Sequence, residues 1–245
     1  MYRNHTISVC LPCRNEGEHL TQVLRAVPSI VDEVIVVSNA STDDSVDVAR
    51  KAGATVYEDN RVIGGVGYGF AHMTGIMAAK GDIIVGLDAD GTYPVEELPR
   101  IVDYLLDSET DFISCSRLEY SEIPLKLNLG VRLLNLEVRL LYGRKITDTL
   151  SGMWMFRREV RRSLSLNQGD WNLSPQIKLE ALMSPEITFA EYPIIQKRRF
   201  GKTHQHYFRT GFSHACWIVK NRVRHLEPWL VMSTIVKGDD AMGDG

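Results

Sequence analysis

Through its first half the chain alternates short β-branched apolar runs with longer segments of helical period, and this alternation leaves few folds open. Strands are expected at residues 7–11, 33–37, 55–57, 82–87 and 112–116. Helices are expected at 16–27, from the Thr42-Asp43-Asp44 cap to about 52, from about 68 to 79, and at 95–106. Strands and helices joined by turns this short imply an α/β fold, a parallel sheet with helices on both faces. In an open sheet of this kind ligands bind off the carboxyl ends of the strands. The residues that follow each strand are therefore where chemistry is sought.

The second half breaks the rhythm. Residues 123–143 form a long segment rich in Leu and Arg, and a Gly-containing turn follows at Asp148-Thr149-Leu150-Ser151-Gly152. A strand is expected at 153–156, a helix at 174–183, and two further strands at 188–192 and 194–198. The polar, Gly-rich residues 237–245 are expected to be a disordered tail.

Composition narrows the function classes. The 245 residues are 44% hydrophobic and 24% charged, enough for one large α/β domain with an appendage. A net charge of -3 argues against a general nucleic-acid binder. No uninterrupted apolar stretch approaches the roughly 18 residues that span a bilayer, and no charged-then-apolar leader opens the chain, so no secretory signal is expected. Four cysteines, at 10, 13, 115 and 216, are scattered as in a reduced cytoplasmic protein. Cys10 and Cys13 form a C-x-x-C, but Cys10 falls within an expected strand and no second pair completes a zinc site, so redox or zinc chemistry is the weaker reading.

Asp88-Ala89-Asp90 follows the strand at 82–87. Two carboxylates there can hold a divalent cation through hard oxygen ligands and so neutralise a departing pyrophosphate. An Asp-Gly turn capping the next helix explains the same residues about as well when they are taken alone. Gly65, Gly67 and Gly69 superficially suggest a dinucleotide fingerprint, but that motif follows a first strand and this one follows the third. Close backbone packing near a sugar nucleotide is the preferred reading.

In order along the chain come Leu11-Pro12-Cys13-Arg14-Asn15-Glu16, then Val36 to Asp43, then the Gly-rich loop, then Asp88-Ala89-Asp90-Gly91-Thr92-Tyr93-Pro94. Ser116-Arg117, Asp148 to Gly152 and Phe156 to Glu159 follow. This ordered set, over about residues 6–205, resembles the family 2 inverting glycosyltransferases of the GT-A fold, whose sheet is mixed but mainly parallel. Within them it is most similar to the dolichol-phosphate mannose synthases and related polyprenyl-phosphate hexosyltransferases.

The resemblance implies roles position by position. Pro12, Asn15 and Glu16 match the first nucleotide loop; Asn15 and Glu16 also suit a helix cap and a first-turn acid. Ser38 and Asn39 stand where the family often has acids, which leaves the base open. Asp88, Ala89 and Asp90 match the diphosphate motif and imply Mg²⁺ or Mn²⁺, while Thr92 replaces a Gln common in the mannose synthases. Arg117 and Arg132 match phosphate-binding positions, and Arg198, Arg199 and Lys202 form a basic patch for a second anion. Asp148 matches a carboxylate beside the reaction centre, where it orients the acceptor, serves as base for a hydroxyl acceptor, or simply caps its turn. The implied catalytic set is thus Asp90, Asp148, Arg117 and Arg132.

The implied reaction moves a hexose from a nucleoside-diphosphate sugar, of GDP-mannose or UDP-glucose type, to a polyprenyl phosphate. Such an acceptor arrives as an anion, because its second pKa is about 6, and needs Arg and Lys rather than a base. Transfer to a sugar hydroxyl, or nucleotide-sugar binding without turnover, are the alternatives.

A catalytic domain is expected over 1–205 and an amphipathic tail over 206–236. In that tail Phe208, Phe212, Ala215, Val219, Val223 and Leu226 recur at helical spacing among Arg209, Lys220, Arg222 and Arg224. Residues 125–144 are similar, with Lys126, Arg132, Arg139 and Arg144 among leucines. Such segments fit an anionic membrane surface, or else they cover the core with their charges in water. The first reading makes the protein peripheral on the cytoplasmic face of a membrane.

Overall fold

A computed structural model describes residues 1–117, 124–197 and 206–239, with side chains through 225. The calls on Arg198, Arg199 and Lys202, and on the tail beyond 239, lie outside the described residues. Seven strands form one sheet: β1 (Ile7–Cys13), β2 (Glu33–Ser38), β3 (Thr55–Glu58), β4 (Ile83–Gly86), β5 (Phe112–Ser116), β6 (Trp154–Arg157) and β7 (Phe189–Pro193). Their order is β3-β2-β1-β4-β6-β5-β7. Pairing is parallel throughout except at β6, which runs antiparallel to both β4 and β5. The sheet is mixed and mainly parallel, the α/β architecture of the GT-A fold.

Helices α1 (Gly17–Ala26), α2 (Ser45–Lys51), α3 (Tyr68–Ala78) and α4 (Leu98–Asp107) follow β1 to β4 in turn, as their short connections require. The long helices α5 (Leu125–Tyr142) and α7 (Tyr207–Asp239), with α6 (Leu173–Met183) between them, belong to the second half. Along β1, Ile7, Val9, Leu11 and Cys13 face a core with Leu20 of α1 and Leu98, Ile101 and Leu105 of α4. Cys10 faces the opposite core, with Ile76 of α3 and Ile177 of α6. The C-x-x-C therefore straddles the sheet, and burial pushes the Cys13 thiol up to about 11 and the Cys10 thiol further still. Two such thiols have neither the shared face nor the low pKa of a redox pair.

A third cluster joins Leu134, Val138 and Tyr142 of α5 to Leu179 of α6 and to Trp217 and Ile218 of α7. Tyr142 donates its hydroxyl to the Ile218 carbonyl at 2.9 Å.

One expected strand is absent. Residues 194–197 continue beyond β7 without further strand pairing: the Ile194 amide closes the β5–β7 ladder, and the Lys197 amide goes to another loop. Ile194 donates to the Ser116 carbonyl and Lys197 to the Thr92 carbonyl, both at 2.8 Å. This bends the chain across the strand ends and brings Ile195 and Gln196 to the cavity described next.

Candidate active site

The carboxyl ends of β1, β2, β4 and β5 open into a cavity of about 1150 Å³. It is lined by the first loop (Pro12, Arg14, Asn15, Glu16), by Asn39, and by Asp88, Ala89 and Asp90.

The loop after β1 is held by the loop after β2. Asn15 adopts a left-handed backbone (φ 55°), which Asn tolerates better than most residues. Its Oδ1 accepts from the Thr42 amide at 2.7 Å. Rather than a cap supplied from within, the first turn of α1 gives its amides to the α2 entrance: Glu16 to Ser45 Oγ at 3.0 Å and Gly17 to Asp43 Oδ2 at 3.0 Å. Asn39 is buried and donates through Nδ2 to the carbonyls of Asp59 and Arg61. Asp59 is in turn held down at about 2 by Arg61, which grips it with Nε and Nη2. Ser38 is buried at the end of β2 and does not line the cavity.

Asp88 and Asp90 lie on the turn leaving β4, where Gly91 has φ 76°. Thr92 fixes Asp90 by donating its amide (3.0 Å) and its hydroxyl (2.7 Å) to Oδ1. Tyr68 of α3 donates to Asp88 Oδ1 at 3.0 Å, and the Trp171 ring packs on Tyr68 with centroids 4.6 Å apart. Gly152 packs against both Asp88 and Tyr68, so close that a Cβ there would stand 2.8 and 2.9 Å from the Asp88 carboxylate oxygens and 2.9 Å from the Tyr68 hydroxyl. The pair suits a divalent cation: hard oxygen donors, few in number, beside room for phosphate oxygens that complete the coordination. Among the described residues no cluster of three or more His, Cys, Asp or Glu side chains forms a cage of its own.

Asp148 and Arg117 form one unit. Arg117 donates Nε to Oδ2 at 2.7 Å, Nη2 to Oδ1 at 3.0 Å and its amide to Oδ2 at 3.1 Å, and the Leu150 amide donates to Oδ1 at 3.1 Å. Burial alone pushes the Asp148 carboxyl up, but Arg117 and Lys178 more than offset it and hold it at about 2. Asp148 is wholly buried and does not line the cavity, whereas Arg117 does. A saturated carboxylate of this kind orients a guanidinium; it is not placed to take a proton. Arg132 lies elsewhere: exposed on α5, it donates Nε to Asn128 Oδ1 at 2.6 Å and does not line the cavity.

Several residues here were not singled out from the sequence. Lys178 of α6 is fully buried and donates to the Asp148 and Ser151 carbonyls at 3.0 and 2.6 Å; burial lowers its ammonium to about 7. Glu191 of β7 accepts the Thr147 and Asp148 amides, and Asn135 of α5 clasps Thr147 and Thr149. Together they clamp the 147–152 turn that carries Gly152 to Asp88. Tyr68, Tyr93, Trp171 and His214 also line the cavity. A Lys on an apolar helix was the one available signal; nothing local marked the others.

Two helices add a largely apolar part of the lining, with Arg209 beside it. Pro124, Leu127 and Val131 come from the start of α5, Tyr207 and Arg209 from the start of α7, with Leu150 and Ile195 between.

The family model "Glycosyl transferase family 2" matches residues 8–164. A dolichyl-phosphate hexose transferase of Haloferax volcanii is 30% identical over 227 residues, covering 89% of this chain and 95% of that protein. The low-salt glycan biosynthesis hexosyltransferase Agl6 of the same organism is 28% identical over 231 residues; the match covers 90% of this chain but only 55% of that relative. Among solved structures, glucosyl-3-phosphoglycerate synthase from Mycobacterium tuberculosis in complex with UDP superposes with a TM-score of 0.73 at 22% identity, covering 89% of this chain and 80% of that one. A crystal structure of the same synthase holds Mn²⁺, UDP and glucosyl-3-phosphoglycerate, with a TM-score of 0.71.

Proposed function

Since this chain belongs to glycosyl transferase family 2 and is a glycosyltransferase, we propose that it moves a hexose from a nucleoside-diphosphate sugar to a polyprenyl phosphate at a membrane surface. One observation carries the choice of acceptor. The carboxylate that would serve a hydroxyl acceptor as base, Asp148, is buried and saturated, while the Arg117 it orients faces the cavity. An anionic nucleophile needs a cation to position it and no base. The Haloferax relative named a dolichyl-phosphate hexose transferase supports the same acceptor class.

In this reading the nucleoside lies along Pro12, Asn15 and Asn39, and the diphosphate reaches Asp88 and Asp90. A divalent cation held by those two carboxylates supplies neutralisation of the diphosphate charge; Mn²⁺ accompanies UDP in the mycobacterial neighbour. Arg117 aligns the acceptor phosphate for attack at the anomeric carbon, and its charge is maintained by Asp148 alongside. Water is kept from the reacting end by the aromatic wall of Tyr68, Tyr93 and Trp171. The polyprenyl chain leaves along the apolar part of the lining, between α5 and α7.

That exit bears on the membrane. Leu125, Leu129, Leu133, Leu136 and Leu140 of α5 are 50–84% exposed, and at about 100° per residue they share one stripe. Phe208, Phe212, Val219 and Val223 of α7, 45–87% exposed, make another. Lys126, Arg132, Arg139, Arg209, Lys220 and Arg224 lie among them. Exposed apolar stripes with basic neighbours suit an anionic bilayer surface. Among the described residues no helix is long and apolar enough to cross one.

The test is transfer of radiolabelled hexose from GDP- and UDP-sugars, with Mg²⁺ or Mn²⁺, to a short-chain polyprenyl phosphate. Label in an acid-labile, organic-extractable product is expected and names the sugar. Donor binding with no such product would overturn the acceptor and leave a glycan hydroxyl in its place.

A further inference from the structure

His214 lies on α7, is 3% exposed, lines the cavity, and has no part in the chemistry above. Its neighbours determine which ring nitrogen carries the proton. Asn172 donates Nδ2 to Asp170 Oδ2 at 3.2 Å and to Ser213 Oγ at 3.1 Å. A carboxylate only accepts, so the amide is fixed with its Oδ1 toward His214. That Oδ1 stands 2.9 Å from His214 Nδ1. An amide oxygen also only accepts, so Nδ1 bears the hydrogen.

In a neutral ring the other nitrogen, Nε2, is then a bare lone pair. The ring is neutral because burial, and then the nearby Lys178 ammonium, push its pKa down to about 4. Nε2 makes no hydrogen bond among the described residues, yet it is not among their sealed, unpartnered polar atoms, so it is open to the cavity.

Before a ligand enters, water satisfies that lone pair, and a ligand that displaces the water must offer an O–H or N–H in its place. Diphosphate and acceptor phosphate offer only oxygen lone pairs and would be repelled. In the preceding reading the base and ribose are held by Asn15 and Asn39, from the first two strand-end loops. The hexose, with several hydroxyls, is what remains.

We propose that His214 Nε2 accepts a hydrogen bond from a hydroxyl of the donor hexose, making His214 a sugar-selecting residue. The inference rests on the nucleoside-diphosphate-sugar donor of the preceding reading. It adds that the last helix of the fold, and not only the strand-end loops, reads the donor. A residue 126 positions beyond Asp88 (214 − 88) thereby joins the same substrate.

Calorimetric titration with UDP, UDP-glucose, GDP and GDP-mannose in Mg²⁺ tests this on the full chain, for the natural protein, His214→Phe and His214→Gln. The natural protein is expected to bind one sugar nucleotide more tightly than the matching bare nucleotide. His214→Phe should leave the bare nucleotide unchanged and lose about fivefold to tenfold in affinity for the sugar nucleotide, the scale of one hydrogen bond. His214→Gln, whose Oε1 falls near the place of Nε2, should restore most of that loss. An equal change for both ligands in His214→Phe, or no change in either, overturns the proposal. So does a fall in kcat with the binding ratio intact, which would make His214 a base. Should the natural protein bind none of the four ligands, the donor reading itself fails and takes this contact with it.

Discussion

The cavity wall built from β1, β2 and β4 and the wall built from the 147–152 turn, α6 and α7 are held by different kinds of bond. On the first, each loop follows directly from its strand and is tied to its neighbour by local bonds: neutral ones such as Asn15 to Thr42 and Glu16 to Ser45, one to the Asp43 carboxylate, and an Asp59–Arg61 pair only two residues apart. On the second, a buried charge cluster does the holding: Arg117, Asp148, Lys178 and Glu191 come from four separate elements and converge on one turn. The first wall follows from topology, since parallel strands deliver their ends to one edge. The second requires particular charges to meet after long excursions of the chain.

Substitutions can break this contrast, beginning with the largest effect. Asp90→Ala should lower hexose transfer by about a hundredfold or more, the scale of losing one preorganised charge-stabilising group, with the fold retained. Near-normal turnover in that variant would remove the strand-end site altogether. Asp148→Asn should cost stability more than any single change on the first wall, about 3–5 kcal/mol, because it strands a buried guanidinium. Chemical denaturation measures this, and a loss below that of Asn15→Ala would dissolve the distinction between the walls.

Acid provides a related test of the charged wall. Asp148 titrates at about 2 in the folded protein, below its ordinary 3.8, so its contribution is present above about pH 4 and is lost as pH falls toward 2. Asp59, also at about 2, adds to the same window. Asp148→Asn should therefore flatten the stability profile between pH 4 and 2, followed by circular dichroism.

Gly152→Ala joins the two walls. A methyl there meets the Asp88 carboxylate, so transfer should fall about tenfold while the melting temperature moves little. Full activity would mean that Asp88 has room to withdraw. Phe208→Ser with Phe212→Ser should reduce sedimentation with anionic vesicles several-fold, with donor binding intact, since each exposed ring contributes about 1.5–3 kcal/mol on burial. Unchanged sedimentation would reassign that face. Least affected should be Arg132→Ala, expected within about twofold of normal transfer, as an exposed side chain outside the cavity. A large loss would show that Arg132 reaches the acceptor despite its place on α5.

What the sequence disclosed follows the same division. The 7–11, 33–37 and 112–116 strands, the α3 segment and the residues flanking Asp88 are local patterns, and each falls where the alternation puts it. The antiparallel entry of β6 leaves no trace in Met153 to Phe156, because an apolar run looks alike in either direction. Residues 194–198 have the composition of a strand, but after Ile194 closes the β5–β7 ladder the Lys197 amide turns to the Thr92 carbonyl, and no strand continues through 197. Arg117 and Asp148 were both singled out, yet their pairing across 31 residues is visible only in the fold, and it changes what Asp148 is able to do. Lys178, Glu191 and His214 act through partners distant in sequence, which no local pattern encodes.

The order in which the site is completed also has a consequence in time. Synthesis releases β1 to β5 first, and that segment already carries Asn15, Asn39, Asp88 and Arg117. The 147–152 turn comes next, and the His214 end of α7 only later. A nascent chain thus acquires its strand-end loops well before the helix that walls the cavity, and it remains an unfinished vessel until translation has passed α7.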